Sequence, residues 1–104
     1  MTERNPRLSL QSLKVLKLLL EHPTEALAGS DICRTSGMLS GTLYPILLRF
    51  EKAGWLESKW EELEPSEAGR PRKRFYRLTG IGHSRSRSAL SELVVDEGRF
   101  AWTS

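Results

Sequence analysis

Residues 40–60, SGTLYPILLRFEKAGWLESKW, decide the fold of this chain. Apolar residues recur in the first part with the spacing of an amphipathic helix: Leu43, Ile46, Leu47 and Phe50. The pattern ends at Gly54, and the alternating residues after it indicate a strand. Gly41 and Pro45 lie in the first turns of this helix, although both residue types are costly there. We infer that this end of the helix contacts something other than the protein itself.

A short helix is predicted just before this one, over about Gly29 to Ser36. Gly37 follows it and suits the left-handed conformation that ends many helices. Ser40 is the expected N-cap of the next helix, which is predicted over Ser40 to Ala53. The two helices are separated by roughly three residues, which is the spacing of a helix-turn-helix.

The first helix of the chain is predicted from Ser9 or Ser12 to about Glu21, where Pro23 stops it. Its apolar stripe is broad and consists of Leu13, Leu16 and Leu20, widened by Val15, Leu18 and Leu19. A stripe of this width needs cover on two sides. It suits a helix held between the domain core and another helix, and a helix of a second subunit is one candidate for that cover.

Two strands and a final helix complete the predicted order, with residues 24–28 as a simple connector. Polar and apolar residues alternate over residues 55–61 and 72–78, and the segment LEPSEAGRP (63–71) between them forms a long polar tip. Thr79 is the expected cap of the last helix, whose first residues Gly80 and Gly82 are weak helix formers. The order predicts a mainly helical α+β fold, a winged helix-turn-helix over about residues 8–79 with a C-terminal helix and tail over about 80–104.

The charges are sorted along the chain, although the net charge is only +3. Residues 57–67 contain five acidic residues and one lysine, whereas residues 70–87 contain seven basic residues and no acid. A basic block of this density indicates a phosphate-binding surface. A run of charge is also often no more than a solvated face, and composition alone does not separate the two.

Several function classes are poorly supported by these residues. No apolar run is long enough for a membrane span and no signal peptide is recognisable, so we expect a cytoplasmic protein that associates with the nucleoid. Cys33 has no second thiol or histidine nearby and is interpreted as a small buried residue. His22 and His83 are isolated, so neither catalysis nor a metal or other cofactor is expected.

A DNA-binding surface explains the unusual helix start and the basic block together. The N-terminus of a helix presents free N–H groups and the positive end of its dipole to phosphates, or its first side chains to base edges. The predicted contacts are Ser40, Gly41, Thr42, Tyr44 and Arg49 from the helix, and Arg70, Arg72 and Lys73 from the wing. Tyr44 and Thr42 are expected to face outward, with a core position for Tyr44 as the alternative. The acidic residues 61–67 should point away from DNA or pair with the wing arginines.

The chain resembles the PadR family of winged-helix transcriptional regulators. The resemblance rests on residues 40–60 followed by GRPRKRFYRLT at 69–79, and it extends over about Leu10 to Gly82. It implies a dimeric repressor that binds an inverted repeat through the third helix and the wing. It also implies that the C-terminal helix packs on the first helix of the other subunit, and the predicted contacts are Leu16, Leu19, Leu90, Leu93 and Val94.

Two features depart from the family pattern. The second helix reads AGSDIC where many relatives have an aromatic residue, and the last helix looks short, with a poor start and an end near Phe100. Many relatives respond to small aromatic compounds, and Trp60 or Trp102 are candidates for lining such an effector pocket. A tryptophan in a small chain more often lies in the core or an interface.

Two other functions compete with sequence-specific regulation. A winged helix can hold a protein partner instead of DNA, because fold does not fix function. It can also bind DNA without sequence preference, with strong salt dependence. The basic wing beside a polar helix start favours DNA over a protein partner.

Overall fold

The structure, a computed structural model, describes the backbone of residues 8–103 and the side chains of residues 8–92. Within this range the chain forms five helices and a small antiparallel sheet. The helices are α1 (Leu10–Leu20), α2 (Gly29–Ser36), α3 (Ser40–Lys52), α4 (Pro65–Ala68) and α5 (Gly80–Thr103). The strands are β1 (Leu27–Ala28), β2 (Leu56–Trp60) and β3 (Arg74–Leu78). The predicted fold class, a mainly helical winged helix-turn-helix, is confirmed.

The ends of the first helices follow local capping rules in two of three cases. Ser9 caps α1, because its hydroxyl accepts a hydrogen bond from the Ser12 N–H at 3.1 Å. Gly37 ends α2 with φ of 78°, as expected for a left-handed cap. The prediction of Ser40 as the N-cap of α3 is wrong. Leu39 holds that position because its extended backbone places its carbonyl to accept from Thr42 and Leu43 N–H groups, both at 3.0 Å.

The sheet has the strand order β1-β3-β2. Strands β2 and β3 form the predicted hairpin, with Leu56 opposite Leu78. Strand β1 was not predicted, since residues 24–28 were expected to be a connector. Its two residues pair with β3, Leu27 opposite Tyr76, so its existence depends on a partner far along the chain. The tip of the wing also contains the single-turn helix α4, where only a polar loop was expected.

The core lies between α1, α2, α3 and the inner face of the sheet. Phe50 stacks on Trp55 with ring centroids 5.3 Å apart and an interplanar angle of 16°. Leu16 and Leu19, predicted to contact a second subunit, are fully buried in the core of the same chain. The chain itself therefore covers Leu16 and Leu19, in place of the predicted second subunit, whereas Leu13, Leu18 and Leu20 of the same stripe are only half-buried.

Helix α5 is longer and better anchored than its sequence indicates. Thr79 caps it as predicted, because its hydroxyl accepts from the Gly82 N–H at 3.0 Å and donates to the Gly54 carbonyl at 2.6 Å. Gly82 packs so closely on β2 that a Cβ atom there would lie 1.9 Å from the Trp55 carbonyl oxygen. The glycine that looked like a poor helix former is therefore required for the contact. The helix spans 24 residues, so the expectation of a short helix is wrong, and it ends at Thr103, three residues beyond Phe100.

Candidate nucleic-acid interface

Helix α3 divides its residues between the core and solvent as the sequence predicts. Leu43, Leu47 and Phe50 are fully buried and Ile46 nearly so. Most of the helix residues predicted to contact DNA lie on the opposite, exposed face: Ser40, Gly41, Tyr44 and Arg49. Thr42 is only half-buried, at the edge of this face. The helix continues through Pro45, which is also exposed.

The side chain of Tyr44 lies on the exposed face of α3, where it packs against a neighbouring helix and does not enter the core. Its ring lies across the start of α2, where a Cβ atom on Gly29 would be 2.4 Å from the Tyr44 hydroxyl oxygen. The residue remains 39% exposed. Partial burial, and secondarily the neighbouring Cys33, raise the pKa of Tyr44 above its ordinary value.

The wing arginines are paired with the acidic residues that precede them, one of the two arrangements that the sequence predicts. Arg70 donates to both carboxylate oxygens of Glu61, at 2.8 and 3.1 Å. The Lys73 backbone N–H donates to the same carboxylate at 3.2 Å. These hydrogen bonds, that from Arg70 above all, lower the pKa of Glu61. Arg72 donates from Nε to the Leu63 carbonyl at 2.7 Å and lies 3.8 Å from the Glu64 carboxylate.

One groove of about 500 Å³ joins α3, the predicted DNA-recognition helix, to the wing. It is lined by Ser30, Tyr44, Trp60, Arg70, Pro71, Arg72, Lys73, Arg74 and Tyr76. The predicted contacts Tyr44, Arg70, Arg72 and Lys73 thus lie on one surface. Ser40, Gly41, Thr42 and Arg49 do not line the groove itself.

Ser30, Arg74 and Tyr76 line this groove without having been predicted as site residues, and Trp60 was predicted only as a candidate for an effector pocket. The Arg74 guanidinium lies over the Trp60 ring, 5.0 Å from its centroid, and 3.6 Å from the Glu51 carboxylate. Trp60 and Arg74 are directly opposite each other in the β2–β3 register. Alignment of the two predicted strands at their outer ends would therefore have found this pair. Trp60 is 56% exposed and lines this open groove. Its role in effector binding stays a prediction.

The remaining predictions for this site and the dimer depend on the far end of α5. Leu90 is half-buried. The side chains of Leu93, Val94 and Trp102 lie outside the described residues.

Among the residues that the structure describes, no helix is long and apolar enough to cross a membrane, and no three metal-binding side chains cluster.

The family model of the transcriptional regulator PadR-like family matches residues 15–88, well over half of the chain. The chain belongs to this family. The match runs from the middle of α1 through the helix-turn-helix and the wing to the start of α5. The predicted family resemblance is thereby confirmed, and with it a role in DNA-binding transcription regulation.

Solved structures agree with the PadR-like assignment. The protein smu.1704 from Streptococcus mutans UA159 is 31% identical, with a TM-score of 0.65 over 83% of this chain and 81% of that one. A PadR-like transcription factor from Bacteroides fragilis is 23% identical, with a TM-score of 0.71 over 91% and 90%. A PadR family regulator from Clostridium difficile R20291 has the same fold at 17% identity, with a TM-score of 0.74 over 91% and 98%. No curated protein sequence matched significantly.

Proposed function

We propose that this PadR-like protein is a dimeric repressor that binds an inverted-repeat operator through the start of α3 and through the wing. The observation that carries the proposal is the shared groove, where Tyr44 of the recognition helix faces Arg70, Arg72 and Lys73 of the wing. A duplex seated on α3 would therefore also meet the wing cations. The protein would act at the nucleoid.

Electrostatics support this assignment of the wing. Arg70 and Arg72 are exposed, and their present partners are carboxylates or a backbone carbonyl. A DNA phosphate can replace these acceptors, because the guanidinium group can donate two parallel N–H hydrogen bonds to a phosphate as it does to a carboxylate. Each phosphate neutralised in this way contributes to affinity and makes binding depend on salt.

Helix α5 is the proposed dimerisation element. Its 24 residues correspond to about 36 Å of helix, and it packs on α1 of the same chain. Because Leu16 and Leu19 are buried in the monomer core, we assign the contact with the second subunit to the later part of α5. Leu90, Leu93 and Val94 are the residues assigned to it. A symmetric dimer would place its half-sites about 10 base pairs apart.

The test is selection of duplexes from a randomised pool by the purified protein at near-physiological salt, followed by sequencing. An enriched inverted repeat with half-sites one helical turn apart supports the proposal. The matched control is the double variant Arg70→Gln, Arg72→Gln, which should retain little DNA. Retention without enrichment would indicate architectural binding, and no retention would favour the protein-interaction function. Either result would refute the proposed operator recognition.

A further inference from the structure

The centre of the outward face of α3 is apolar. Gly41 and Leu48 are seven residues apart, nearly two full turns, so they lie on one line along the helix. Pro45 lies between them and is exposed. Leu48 is 51% exposed, although it stands in the middle of a helix whose other leucines are buried.

The polar groups near this line are turned away from it or lie at its ends. The Tyr44 hydroxyl and the adjoining ring edge pack against Gly29 of α2, and the residue remains 39% exposed. Thr42 is half-buried on the far flank, and Ser40 stands at the first turn. The charged residues of the face, Arg49 and Lys52, lie in its last turns.

This pattern limits what the helix can read in the major groove. Arginine and lysine bind guanine, and asparagine and glutamine bind adenine, through paired hydrogen bonds. None of these four residue types occurs in α3 before Arg49, which directly follows Leu48. The apolar group that a base presents in the major groove is the 5-methyl of thymine. An exposed leucine in the groove gains little from any other base edge.

We propose that α3 reads its half-site by apolar contact with thymine methyl groups, and that Leu48 is the specificity-determining side chain. The inference rests on the proposed function, because it requires α3 to lie in the major groove. Tyr44 and Pro45 complete the apolar surface around Leu48. Lys52 supplies a phosphate contact at the end of the helix.

The test replaces thymines of the selected operator by deoxyuridine, one position at a time, so that a methyl group is the sole change. Fluorescence anisotropy then gives the dissociation constant of each duplex. We expect at least one position in each half-site where the wild type binds about fourfold more weakly, the effect of one buried methyl group. Substitution at that position in both half-sites should weaken binding about fifteenfold.

Two variants identify the side chain responsible. Leu48→Ala should bind the thymine and deoxyuridine duplexes nearly equally, and Leu48→Ile should restore a preference for thymine. Lys52→Ala is the matched control on the same face, and it should weaken both duplexes by one common factor.

The outcomes separate this inference from the proposed function. If every deoxyuridine duplex binds the wild type as tightly as the parent operator, thymine reading is refuted while operator binding stands. A full thymine preference in Leu48→Ala would refute the role of Leu48. If no duplex is retained at all, the proposed function fails and the inference fails with it.

Discussion

Replacing Gly82 by alanine should destabilise the protein, although alanine is the better helix former. A Cβ atom at this position would lie 1.9 Å from the Trp55 carbonyl oxygen and 2.8 Å from its carbon. Both are backbone atoms, and the same oxygen accepts a hydrogen bond from the Thr79 N–H at 3.0 Å. The obstacle therefore cannot rotate away as a side chain would. Helix α5 would have to move outward by roughly 1.5 Å to restore ordinary contact distances.

The size of the effect follows from two opposing contributions. Overpacking of a close contact costs about 1–3 kcal/mol, and more where the neighbour is rigid. Alanine recovers at most about 1 kcal/mol of helix propensity. We expect a net loss of about 1–2 kcal/mol in the free energy of unfolding. Gly80→Ala is the matched control, because nothing lies within 4 Å of a Cβ atom there, and it should be neutral or stabilising by about 0.5 kcal/mol.

Equilibrium urea unfolding measures the difference, with tryptophan fluorescence as the signal. Trp55 is a suitable reporter because it is buried against Phe50 at the point where α5 docks. The protein concentration must be the same for all variants, since a dimer unfolds in a concentration-dependent way. If Gly82→Ala is as stable as Gly80→Ala, the close approach of α5 to β2 is not a constraint and the reasoning fails.

Three further predictions concern the wing and the recognition helix. Glu61→Gln should free Arg70 for a phosphate contact. The slope of log K for DNA binding against log salt concentration should then become steeper by about one unit per wing, and an unchanged slope would contradict the exchange of partners. Arg72→Ala should weaken binding to operator and random duplexes by the same factor, whereas Tyr44→Ala should weaken operator binding more than binding to random DNA. Anisotropy titrations measure both affinities for each variant. If Tyr44→Ala also loses the same factor on both duplexes, the division between helix and wing is wrong. The Arg70 hydrogen bonds lower the pKa of Glu61, so the ion pair stabilises the wing above the ordinary carboxyl pKa and is lost as the pH falls through the lowered one. In Arg70→Gln, NMR titration should show a higher Glu61 pKa; an unaltered value would disprove the pairing.

Much of the fold could be predicted because it depends on local patterns. The range of α2 follows from the apolar spacing and Gly37, and the Ser9 cap and the β2–β3 hairpin follow from short segments. Strand β1 could not be found in this way, because two residues become a strand only when β3 is beside them. The role of Gly82 was also hidden, since propensity describes an isolated helix and not the carbonyl that meets it.

The candidate site was only partly predictable for a similar reason. The charge blocks indicated that Glu61 and Arg70 could pair, and they do. The periodicity of α1 showed that Leu16 and Leu19 needed cover, but it could not say which chain supplies it. The direction of the Tyr44 side chain depends on the missing Cβ atom of Gly29 in another helix, so the spacing within α3 could not reveal it.

The pairing of the wing within itself has a consequence for how the protein would find its operator. Arg70 and Arg72 already donate hydrogen bonds to oxygen atoms of the wing. A phosphate of random DNA would only replace these acceptors, so the net gain in binding free energy would be small. Contact with random DNA would then be brief, whereas an operator that also engages α3 would hold the protein long enough to complete the exchange. The acidic residues of the wing would thus shorten the residence time of the protein on non-specific DNA. A shorter residence time would speed its search for the operator.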